Sequence, residues 1–133
     1  MTPAMIRTPS VMSLHLRYRL WIAEMNFYIN DLRIFDDYLK ELTDKQKEPK
    51  VKAGIDYFEK QFIKIREEID ELRHEMHILK MKLAAYAKEG KPLDYKTYQG
   101  DHHTVLKQRY SNFRKAFDKV KSEFIEFEGK WLN

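Results

Sequence analysis

The sequence predicts an all-α protein, an up-down-up antiparallel bundle of three long helices at about 9–44, 50–89 and 99–132. Three observations predict it. Apolar residues recur at alternating steps of three and four in three long stretches, the spacing that puts them on one side of a helix. Only four glycines and four prolines interrupt 133 residues, which disfavours a turn-rich β fold. Several of these breakers fall between the stretches. A chain of this length suits one domain burying about two thirds of its unfolded surface, expected here over 9–133 with a flexible segment at 1–8.

The first stretch carries the seam Val11, Leu14, Tyr18, Trp21, Met25, Tyr28, Leu32, Phe35, Leu39 and Leu42. Thr8 is placed to cap its start, with Pro9 at the first helical position, where a missing N–H costs nothing. The polar run Asp44 to Lys50, containing Pro49, then turns the chain back.

The second helix is predicted from Val51, Ile55, Phe58, Phe62, Ile65, Ile69, Leu72, Met76, Leu79, Leu83 and Tyr86. Gly90 suits the left-handed position just past its end, and Pro92 cannot continue it. Lys91 to Gly100 reads as the longest connection, with Tyr95 and Tyr98 folding back over the end of the bundle.

The third seam is His103, Leu106, Tyr110, Phe113, Phe117, Val120, Phe124, Phe127 and Trp131. Its bulky rings predict small or aliphatic residues opposite them. Flanking charges predict the pairs Glu24 with Arg114 and Asp31 with Lys121. Three helices each about 50 Å long, with Trp21 and Trp131 in the first and third, resemble the spectrin-type three-helix unit in architecture.

Composition narrows the function. Lysine and arginine number 25 against 21 acids, a net +4, but the signs are interspersed as on solvated helix faces. Nucleic acid, which draws on clustered cations, is therefore not an expected partner. Absent cysteine removes disulfides and thiolate chemistry. No apolar run nears the roughly 20 residues that span a bilayer, so no membrane association is expected and the chain reads as cytoplasmic. Arg7, Arg17 and Arg19 with no acid before Glu24 have the composition of a transit peptide, yet the seam starts at Val11 and continues in register, which favours a structural role. Phosphate-cradling glycine loops and nucleophile motifs are missing, so the expectation is a non-enzymatic protein without a bound cofactor.

The strongest functional sign is a second apolar stripe on the first helix: Leu16, Leu20, Ala23, Phe27 and Ile34, with Asn30 among them. A strip about 27 Å long needs cover. Either a second copy of the chain supplies it, giving a homodimer or another protein–protein contact, or the first helix sits deep and both stripes belong to one broad core. The alternative function is metal binding: His15, His102 and His103 are expected near one end of the bundle, and three imidazoles suit zinc or another transition metal. A polar stripe on the second helix, with Asp70, His74 and His77 flanked by Ile63, Ile78 and Met81, reads as a second partner face. Histidines near helix starts, where the dipole opposes positive charge, also predict a pH response.

Overall fold

The computed structural model describes residues 9–131, and the reading of residues 1–8 and of Thr8 as a cap falls outside them. The described residues form four helices: α1 Val11–Lys45, α2 Pro49–Lys88, α3 Tyr95–Gly100 and α4 His103–Trp131. No strand occurs among the described residues, and no helix there is long and apolar enough to cross a membrane.

Local chemistry explains each boundary. α1 begins at Val11, two residues later than expected, and Ser10 caps it: its Oγ accepts from the Ser13 N–H at 3.0 Å and its carbonyl from Leu14 N–H at 3.0 Å. α2 opens on Pro49, and the Glu48 carbonyl accepts from Lys52 N–H. Its end is a Schellman motif: Lys91 N–H donates to Tyr86 O at 2.9 Å and Gly90 N–H to Ala87 O at 3.1 Å, with Gly90 at φ +70°.

The connection that follows is more ordered than its composition suggested. Asp94 caps α3, accepting from Thr97 N–H at 2.7 Å, and this bond holds its carboxyl below the usual carboxylate range. Leu93 is buried and anchors the segment. α4 begins at His103 and not near 99, because His102 at φ 58° breaks the helical path after α3.

The chain divides into two compact units, Met1–Met25 with Glu71–Ser111, and Asn26–Asp70 with Asn112–Asn133. In the second, Phe35, Phe58, Phe62 and Phe124 cluster with ring centroids 5.1–6.0 Å apart, and Tyr28 stacks on Phe117 at 4.3 Å. This overturns the expectation of small or aliphatic residues opposite the α4 rings. Offset and edge contacts between rings are favourable, so aromatic layers meet each other. Gly54 is the exception, since a Cβ there would overlap the Phe127 ring. Lys121 bonds Asp31 at 3.1 Å as the charge pattern predicted, and Arg66 pairs with Asp36.

In the first unit, Leu14, Tyr18, Met25, Leu72, Met76, Leu83, Leu106 and Tyr110 are buried. Trp21 packs between Tyr18 and Tyr110 at 5.6 and 5.3 Å. Glu24 accepts the Tyr110 hydroxyl at 2.5 Å. Arg109 clamps the exposed side of α2, reaching Glu71 at 3.0 Å and Glu75 at 2.5 Å.

Candidate functional site

Two places on the molecule hold side chains beyond what the core requires. The first is the outer side of α1. With 3.6 residues per turn, the stripe Leu16, Leu20, Ala23, Phe27, Ile34 points roughly 160° away from the seam of Tyr18, Met25 and Leu32. The structure leaves it open: Leu16 is 54% exposed, Leu20 58%, Phe27 72% and Ile34 45%. Ala23 and Asn30 are exposed as well. The reading in which both stripes share one broad core is thereby overturned, because the buried seam alone meets the other helices. Met12 and Tyr38, which sequence reasoning left out, extend the stripe at each end and are also exposed.

The second place is a row of polar groups around His103. This residue is 1% exposed, and its Nδ1 lies 2.5 Å from the Tyr18 hydroxyl. Its Nε2 faces Asp101 Oδ2 at 3.7 Å without a hydrogen bond. A carboxylate on that side favours the Nε2–H tautomer, so Tyr18 donates to Nδ1. Tyr98 stacks on the imidazole at 5.5 Å and an interplanar angle of 19°; the side chain of Tyr95, expected to fold back with it, lies outside those described. Asp101 in turn meets Lys82 at 3.4 Å and Tyr86 Oη at 3.5 Å.

Burial dominates the electrostatics of this row. Desolvation lowers the His103 pKa; Asp101 opposes the shift and Lys82 adds to it. Desolvation likewise raises the Tyr18 pKa, with Tyr98 and Asp101 acting in the same direction. The phenol is fully buried and held in its protonated form. The row links α1, α3 and the start of α4 within their unit.

The three histidines expected as metal ligands have different surroundings. His15 is half-buried and His102 exposed, while Nδ1 of His103 is taken by Tyr18. Among the described residues, no group of three His, Asp or Glu side chains is arranged to hold an ion. His102 instead lines a cavity of about 220 Å³ with Glu75, Ile78, Asp101, Val105 and Arg109. Asp70, His74 and His77 are all exposed on α2, beside exposed Ile63, Ile78 and Met81.

No protein-family model, curated protein or solved structure matches this chain. Sequence reasoning missed the Tyr18–His103–Asp101 row because its members lie on separate elements. It also missed α3, for which Pro92-Leu93-Asp94, a cap after a buried anchor, was the available signal.

Proposed function

We propose that the protein is a non-enzymatic helical-bundle interaction module, its three long helices running up, down and up, that self-associates through the outer stripe of α1. The observation that carries this reading is the exposure of Leu16, Leu20, Phe27 and Ile34 in a line along one helix. Contiguous apolar surface of this kind marks interaction sites, and burying each such side chain contributes roughly 1.5–3 kcal/mol.

Contacts within the second unit support the bundle order. Tyr28 with Phe117, Asp31 with Lys121 and Phe35 with Phe124 advance together along α1 and α4. Phe58 with Phe127 and Phe62 with Phe124 run in opposite senses along α2 and α4.

Sedimentation or light scattering tests the proposal. The parent chain is expected at twice its monomer mass in the micromolar range, and Leu20→Glu with Phe27→Glu at the monomer mass with helix content unchanged. A parent that stays monomeric at high micromolar concentration overturns it.

A further inference from the structure

We infer that α3 and its flanking residues form a strap over buried His103 that lifts when the imidazole takes up a proton, opening the first unit at this one place while its long helices stay packed. The inference stands apart from self-association, since none of its groups belongs to the outer stripe of α1.

The strap differs in build from the helices it lies on. Left-handed backbone bounds it, with φ +70° at Gly90 and 58° at His102, and hinges are a few residues at the ends of an element. Of the described side chains from Lys91 to Gly100, Leu93 alone is buried, and Thr97 and Tyr98 are half-buried. Besides the Asp94 cap, α3 is closed by Tyr98 N–H donating to Asp94 O at 2.9 Å and Asp101 N–H to Thr97 O at 3.0 Å. Segments with so few buried groups open at lower cost than the core beneath them.

Beneath the strap the two nitrogens of the imidazole are already assigned. With the hydrogen on Nε2, Nδ1 accepts from the Tyr18 phenol at 2.5 Å. A second proton goes to Nδ1, which then ceases to accept. The phenol's hydrogen loses that acceptor at a place where both side chains are buried. The other groups facing the ring act in both directions. Asp101, at the joint between α3 and α4, attracts an imidazolium from 3.7 Å, and the Tyr98 face on α3 also favours a cation. From α2, Lys82 repels it and holds the same carboxylate at 3.4 Å, while Tyr86 reaches that carboxylate at 3.5 Å. Burial is the largest influence, and it disfavours the charge.

Lifting α3 takes the Tyr98 ring off the imidazole and lets water reach the cation. The open form therefore binds a proton more readily than the closed one, and falling pH shifts the balance toward it. Closure is at full strength above about pH 6.5, the ordinary value of a histidine, and weakens below it. The cap does not share this response, because the Asp94 carboxyl is held below the usual carboxylate range.

Amide hydrogen exchange followed by NMR tests the inference. The Tyr98, Asp101 and His102 amides report the strap through their bonds to Asp94, Thr97 and Gln99, and Met76 and Tyr110 report the long helices. With intrinsic rates divided out, strap protection is expected on the order of a hundredfold below that of Met76 and Tyr110. Between pH 7.5 and 5.5 it is expected to fall by up to about tenfold, the ratio set by an open imidazole with a pKa near 6.5. His103→Asn is expected to keep the low protection and lose its pH dependence, with His103→Gln in its place should the first variant not fold. His102→Asn, which suits the left-handed position, is expected to retain the dependence. Strap amides as protected as Met76 and Tyr110 overturn the inference, because opening is then global. Strap protection equal at the two pH values, or a dependence that survives the loss of His103, overturns it as well.

Discussion

His103 and Tyr18 show how one hydrogen bond ties distant parts of the sequence together. Both are buried, and among the described residues the phenol is the imidazole's hydrogen-bond partner. Tyr18→Phe keeps the ring and removes the donor, leaving Nδ1 desolvated and unpaired, which costs about 1–3 kcal/mol. Urea unfolding of the variant measures this. A pH dependence follows from the same burial. The folded imidazole takes up a proton less readily than the unfolded one, whose pKa is near 6.5. The unfolded state therefore binds more protons as the pH falls through that value. Stability is full above about pH 6.5 and declines below it, until the folded imidazole also protonates. Asp101 softens the decline and Lys82 sharpens it. Unfolding free energies of the parent and His103→Asn across pH 5 to 8 check this, with a shallower slope expected for the variant. The sequence suggested a histidine response through the helix dipole, whereas the first cause of the lowered His103 pKa is burial. The Tyr18 partner that closes the row was invisible, since 85 residues separate the two side chains.

The helices themselves were largely legible. Every member of the three apolar seams is buried or half-buried, and the Schellman end of α2 stands where Gly90 and Pro92 indicated. Two details escaped because they depend on neighbours in space. α3 is a single capped turn and a half, too short for a periodicity of its own, and it rests on buried Leu93. Ring pairing on α4 was misread because a seam reveals the residues of its own face and not those opposite. Gly54 makes the point testable. An alanine in mid-helix normally gains up to about 1 kcal/mol over glycine. Here its Cβ would meet Phe127, which packs on Phe58 at 5.1 Å. Gly54→Ala is expected to lose stability by about 1–2 kcal/mol, in the manner of an overpacked core. Chemical denaturation resolves that from a gain.

The self-association proposed for α1 would link the stability of the whole molecule to its concentration. Burial of the stripe against a second copy favours the folded chain by mass action, so the parent Tm is expected to rise with protein concentration. Calorimetry across a hundredfold range checks it, with Leu20→Glu/Phe27→Glu expected to show a flat response. Apolar spacing was sufficient to specify the all-helical class, the seam of each long helix and the existence of a second stripe, because helical periodicity is a local property that each segment carries within itself. Whether that stripe was core or surface was not local. The same positions would satisfy either reading until the neighbours of α1 had covered the Tyr18–Met25–Leu32 side and left Leu20 and Phe27 in water. The fate of His15, His102 and His103 was non-local too, since proximity along an expected bundle says nothing of where an imidazole nitrogen points or which partner has already taken it.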